Sequence, residues 1–211
     1  MSSEARARVV LASGNRGKLA ELQRLLAPLG VDVVAQHELG IAPAEETGLT
    51  FVENALLKAR NASAHAGLAA IADDSGLVVD ALGNAPGIHS ARYAGADADD
   101  RANNHKLLCA LANVEPGART ARFHCTLVYL RDEKDPTPVI AEGEWHGVIL
   151  DKPRGAGGFG YDPLFYVEAL GATAAELESG VKNSHSHRGR AAELLIKLLR
   201  EAGEPSRSQM R

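Results

Sequence analysis

Apolar and polar positions change period several times along the chain, and each change marks an element. Val9-Val10-Leu11-Ala12 is an unbroken apolar run of the kind a short buried strand makes. It stops at Ser13-Gly14-Asn15-Arg16-Gly17-Lys18, after which Leu19, Leu22, Leu25, Leu26 and Leu29 recur at helical spacing until Gly30. A second strand is expected over 31–35 and a loop over 39–48. Thr50-Phe51-Val52-Glu53 then has the capping-box pattern, ahead of a helix whose inner face is Val52, Ala55, Leu56, Ala59 and Ser63. Asn54 and Lys58 share one side of that helix, and a solvated polar face explains them as well as a functional one does. Residues 69–72 read as a buried strand entering Asp73-Asp74-Ser75-Gly76, and 77–79 as a further strand. Residues 82–95 hold too much glycine and proline for regular structure. Acidic residues over 97–100 open a helix with Leu107, Leu108 and Leu111 inside. Over 119–129, Ala121, Phe123, Cys125, Leu127 and Tyr129 alternate with Arg122, His124, Thr126 and Val128. With a polar turn over 131–138 and a return over 139–145, this predicts a long antiparallel hairpin that could also serve self-association. Another strand is expected over 147–150, and a last helix with Ala191, Leu194, Leu195, Leu198 and Leu199 inside.

Composition narrows the class. The 211 residues are 45% hydrophobic and 24% charged, enough for one globular domain or two closely joined lobes over 9–202. Residues 1–8 read as an N-terminal extension and 203–211 as a polar, disordered tail. A net charge of -4 gives no basic field for a nucleic-acid backbone, whereas a free nucleotide needs only a local basic pocket. Cys109 and Cys125 fall in segments that read as a buried helix face and a buried strand, without zinc-ligand spacing. No apolar run approaches the roughly 18 residues of a membrane span, and 1–8 lacks a signal-peptide core, so a cytoplasmic protein is expected.

Five stretches carry chemistry. Ser13 to Lys18 offers backbone N–H groups at a helix N-terminus together with Asn15, Arg16 and Lys18, a plausible phosphate cradle or an ordinary strand-to-helix connection. It matches neither the Walker nor the dinucleotide glycine spacing. Asp73-Asp74-Ser75-Gly76 taken alone favours a turn. Were it instead a strand end, alternation would point the two carboxylates to opposite sides, and clustered carboxylates suit a hard cation such as Mg2+. Glu45-Glu46 is a further carboxylate source or a solvated pair. In Arg154-Gly155-Ala156-Gly157-Gly158-Phe159-Gly160-Tyr161-Asp162-Pro163, glycines allow close backbone approach and the two aromatics offer planes for a base. Lys182, His187 and Arg188, in a segment preceding the last helix, can reach anionic oxygens or a base edge.

Taken in order, Ser13-Gly14-Asn15-Arg16-Gly17-Lys18, Thr50-Phe51-Val52-Glu53-Asn54-Ala55, Ala72-Asp73-Asp74-Ser75-Gly76-Leu77, Pro86-Gly87 with Ser90-Ala91-Arg92-Tyr93, Gly157 to Pro163 and Ser186-His187-Arg188-Gly189 resemble the inosine triphosphate pyrophosphatase family over roughly residues 9–199. The resemblance implies a mixed α/β fold, with an elongated central mixed β-sheet and two α/β lobes flanking a deep nucleotide-binding cleft. It implies a homodimer and Mg2+-dependent hydrolysis of ITP, dITP and XTP to the monophosphate and pyrophosphate. On this likeness the triphosphate loop falls on Ser13, Gly14, Asn15, Arg16, Gly17 and Lys18. The catalytic base and metal ligand falls on Asp74, with Ser75 against substrate and a second metal ligand on Glu45 or Glu46. The base pocket falls on Phe159, Gly160, Tyr161 and Asp162, completed by Lys182, His187 and Arg188. His185 stands where an apolar residue is expected.

Overall fold

A computed structural model describes residues 7–204. The expectations for residues 1–6 and 205–211 lie outside the described residues, as does the side chain of Arg16. In chain order the elements are β1 (Arg8–Ala12), α1 (Arg16–Leu26), β2 (Asp32–Ala35), α2 (Phe51–Ala66), β3 (Ala69–Val79), α3 (Asp100–Ala110), β4 (Thr120–Leu130), β5 (Val139–Ile149), β6 (Phe165–Val167), β7 (Ala172–Thr173), α4 (Ser179–His185) and α5 (His187–Glu201). They form an α/β fold around a seven-stranded sheet of order β2-β1-β3-β4-β5-β6-β7. β1 runs parallel to β2 and β3, while β5 to β6 and β6 to β7 are antiparallel, so the sheet is mixed.

The chain divides into two compact units. The first comprises the chain through Asp74, Thr126–Glu142 and Arg188 onward; the second comprises Ser75–Cys125 and Gly143–His187. In the first, Val10 and Ala12 of β1 and Ala70 and Ala72 of β3 pack against Ala55, Ala59 and Ala62 of α2. Small alanines let the helix lie close to the sheet. In the second, Leu77, Phe123, Trp145, Phe165 and Tyr161 build the core with Leu107 and Leu111 of α3.

Local signals account for most helix ends. The capping box forms as expected, with Thr50 Oγ1 accepting from the Glu53 N–H at 3.3 Å and Glu53 Oε2 accepting from the Thr50 N–H at 2.9 Å. Thr50→Ala is expected to lower stability by about 1 kcal/mol, measured as a lower denaturant midpoint at unchanged m. Gly67, with φ 62, closes the same helix.

Several expectations are corrected. Asp73-Asp74-Ser75-Gly76 is no turn: β3 runs unbroken through it to Val79, absorbing the separate strand over 77–79. Likewise 147–149 is the end of β5. Thr126 and Val128 are buried, so the second half of β4 is covered on both faces and its alternation has no solvent side. Cys109 is exposed. Leu194 is half-exposed while Ala192 and Ile196 are buried, which rotates the inner face of α5 from the expected one. The segment 182–190 is two helices meeting at Ser186, not a loop before one.

Candidate active site

β3 places the two carboxylates by its period of two. Ala70, Ala72 and Asp74 share the face packed by α2; Ile71 and Asp73 point the other way. On the α2 side, Lys58 donates to Asp74 Oδ1 at 2.6 Å and to Glu46 Oε1 at 2.9 Å. Asp74 is only 6% exposed and its Oδ2 is buried without a hydrogen-bond partner. Burial raises the Asp74 carboxyl above its usual range, against the pull of Lys58 and Lys18. Asp74 is therefore a stronger base than an exposed aspartate. The Lys58 ammonium is itself held charged: burial disfavours it, and Asp74, Asp73 and Glu46 outweigh that.

On the opposite face, Lys18 of α1 lies 2.8 Å from Asp73 Oδ1, and Arg188 of α5 donates to Asp73 Oδ2 at 3.3 Å. Arg188 also donates to Glu21 Oε2 at 2.5 Å. The result is an alternating chain of charges, Lys18, Asp73, Arg188, Glu21. Burial alone would raise the Asp73 carboxyl; Lys18, Arg188 and Lys58 overcome it and hold the group well below the usual carboxylate range. Such a network is stable only while every member is present.

The loop before α1 is shorter than the sequence suggests. The helix starts at Arg16, so Gly17 and Lys18 are helical, and Asn15 serves as its cap, accepting from the Lys18 N–H at 3.0 Å. Ser13 is buried, its Oγ accepting from the Asn15 N–H, and Gly14 is exposed. Ser75 is half-buried, and Glu45 is exposed where Glu46 is tied through Lys58 to Asp74.

In the second unit, Asp162 Oδ2 accepts from Lys182 Nζ at 2.7 Å and from the Phe159 N–H at 2.9 Å. Lys182 also lies 4.9 Å from the Phe159 ring centroid. Gly158 has φ 72, and a side chain there would strike the Asp162 carboxylate. The expectation that the Tyr161 plane is on offer to a base is corrected: its ring is buried in the core and its hydroxyl donates to Ser90 O at 2.8 Å. The His187 ring stacks on Phe123, with centroids 4.8 Å apart and planes at 14°. His185 is exposed, its Nδ1 3.0 Å from Val181 O, and it joins none of these groups.

A model of the Ham1 family matches residues 9–198. The chain belongs to the Ham1 family. Among similar relatives, a dITP/XTP pyrophosphatase of Yersinia pseudotuberculosis is 62% identical over 195 residues, covering 92% of this chain and 99% of the relative. One of Escherichia coli O157:H7 is 60% identical over 193 residues, covering 92% and 98%. The solved structure of a Ham1 protein from Coxiella burnetii superposes with a TM-score of 0.86 at 49% identity, covering 92% of this chain and 99% of that one.

Two charged residues of this Ham1 chain stand out beyond those the sequence singled out for chemistry. Lys58, noted only as sharing a helix side with Asn54, is the link between Glu46 and Asp74. Its signal was the partner helix: α2 packs on the face of β3 that carries Asp74. Glu21 lies beside Leu22 on the buried side of α1, where an acid among apolar positions implies a buried cation opposite.

Proposed function

We propose that this chain hydrolyses dITP, ITP and XTP between the α and β phosphorus atoms, leaving the monophosphate and releasing pyrophosphate. The observation that carries the reading is the Asp74–Lys58–Glu46 group with its unpartnered, buried Asp74 oxygen. It occurs in a chain 62% identical to a protein named for that activity.

The donor set fits Mg2+. Among the described residues no three histidine, cysteine or acidic side chains form a metal cage. Mg2+ needs none, since it is bound through one or two carboxylates plus substrate phosphates. Asp74 and Glu46 would hold it, and when bound it neutralises charge on the phosphate oxygens. The remaining work belongs to the chain. Asp74, made more basic by burial, orients an attacking water and takes its proton. Lys58, held charged by its carboxylate partners, and Lys18, 2.8 Å from Asp73 Oδ1, offer cations to the phosphates, Lys18 and the Ser13–Asn15 turn taking the leaving pyrophosphate.

The base goes to the second unit's Phe159–Asp162 loop, with Lys182 and His187 of the same unit. Phe159 supplies the stacking plane, and Tyr161 contributes by shaping the loop from the core. Donors such as His187 and the loop's backbone N–H groups meet the six-position oxygen of hypoxanthine or xanthine. An adenine amino group would leave them unpaired, a mismatch that costs factors of about 10⁴. A homodimer and a cytoplasmic setting belong to the same reading and are carried by the family likeness. No helix among the described residues is long and apolar enough to cross a membrane.

Hydrolysis in heavy-oxygen water tests the point of attack. Label in the monophosphate is expected; label in pyrophosphate places attack at the β phosphorus and overturns the assignment.

A further inference from the structure

Gly160 is held at both ends of its own backbone by one turn of α3. Asp99 caps that helix, accepting from the Ala102 N–H at 2.7 Å, which leaves the next carboxylate, Asp100, outside the cap. Asp100 Oδ2 accepts the Gly160 N–H at 2.6 Å. Asn104, one turn on and so on the same side of the helix, donates from Nδ2 to Gly160 O at 2.8 Å. The same amide nitrogen donates to Asp100 O at 2.7 Å, so both of its hydrogens are committed.

The grip falls on a residue in the left-handed region, Gly160 with φ 62, in a loop whose glycines would otherwise leave it many conformations. Fixing the Gly160 N–H fixes the peptide plane that follows Phe159. The plane that precedes it is fixed by the Phe159 N–H to Asp162 Oδ2, and the Asp162 N–H returns to Phe159 O at 3.3 Å. With both flanking planes held, the Cα–Cβ direction of Phe159 is set before any ligand arrives, and Lys182, 4.9 Å from the ring centroid, gives the ring a partner on one face. A plane aligned in advance avoids the ordering cost that a free loop would incur on binding.

We propose that Asp100 and Asn104 are positioning residues for base selection, acting through the Gly160 backbone on the plane of Phe159. This rests on the reading that the Phe159–Asp162 loop receives the base.

The test is steady-state kinetics with ITP and ATP on Asn104→Asp, Asp100→Ala, Asp100→Asn and Phe159→Ala, with thermal midpoints alongside. Asn104→Asp keeps the shape but sets a carboxylate against Gly160 O. It is expected to raise KM for ITP about tenfold and to narrow the preference for ITP over ATP by a similar factor, with kcat within about twofold. Asp100→Ala moves the same quantities in the same direction, and Asp100→Asn, which keeps an acceptor oxygen, restores them. A merely structural role would lower the thermal midpoint and leave the preference between substrates unchanged. If Phe159→Ala raises KM while Asn104→Asp and Asp100→Ala do not, the proposal fails and the base-loop reading stands. If Phe159→Ala also leaves KM unchanged, both fall. Should Asn104→Asp not fold, Asp100→Ala, at an exposed position, decides alone.

Discussion

Replacing Asp74 by asparagine is expected to lower kcat roughly 10³-fold, the size of effect general-base and charge-stabilising groups have on a chemical step. The change is nearly isosteric. The amide oxygen can still accept from Lys58, so the local packing and the link from α2 to β3 survive. What is lost is the negative charge and the basic oxygen now buried without a partner. Nucleotide binding should change far less than turnover, because Glu46, Lys58 and Lys18 remain. Turnover and KM measured together, with calorimetric binding of a non-hydrolysable analogue, separate the two effects. Turnover within tenfold of the parent would remove Asp74 from the chemistry.

Asp73→Ala is expected to act on the fold instead, lowering stability by about 3–5 kcal/mol. The carboxylate is 1% exposed and sits between two cations, Lys18 and Arg188. Without it, Arg188 keeps Glu21 but Lys18 loses the carboxylate 2.8 Å from its ammonium. The denaturant midpoint at unchanged m reads the loss. A change under about 1 kcal/mol would mean that water reaches and screens the network. The sign of the pH dependence follows from the same charges. The folded-state carboxyl ionises below its reference value of 3.8, so its contribution is complete above that value and disappears only as pH falls through the lower folded one. In the proposed function Asp74 serves turnover, while Asp73 pairs with Lys18 and Arg188 in the frame beside it.

The fold was legible where a local pattern decides it. Val9 to Ala12, the Thr50 box and the return from β4 to β5 are set by apolar runs, a cap and a polar turn, all contained in short windows. The composition of Asp73-Asp74-Ser75-Gly76 taken alone favours a turn over the strand that forms. The strand persists since Lys18, Arg188 and Lys58 arrive from three helices distant in sequence to satisfy the carboxylates. No window around β3 contains them. The same limit hid the core position of Tyr161, whose partner Ser90 is far along the chain, and the hold of Asp100 and Asn104 on Gly160. The alternation of β3 was the most informative inference of all. It required Asp73 and Asp74 to face opposite sides, and they do. Between Glu45 and Glu46 the sequence offered no choice; Lys58 brings Glu46 to Asp74.

The most direct test of the account is product analysis. The purified protein with Mg2+ is offered ITP, dITP, XTP, GTP, ATP and dUTP, and pyrophosphate and orthophosphate are assayed separately. The account predicts pyrophosphate and monophosphate from the first three, with ATP and GTP nearly untouched. Orthophosphate without pyrophosphate would move the cut to the terminal phosphate and contradict it, as would ITP binding with no product, the behaviour of a nucleotide sensor.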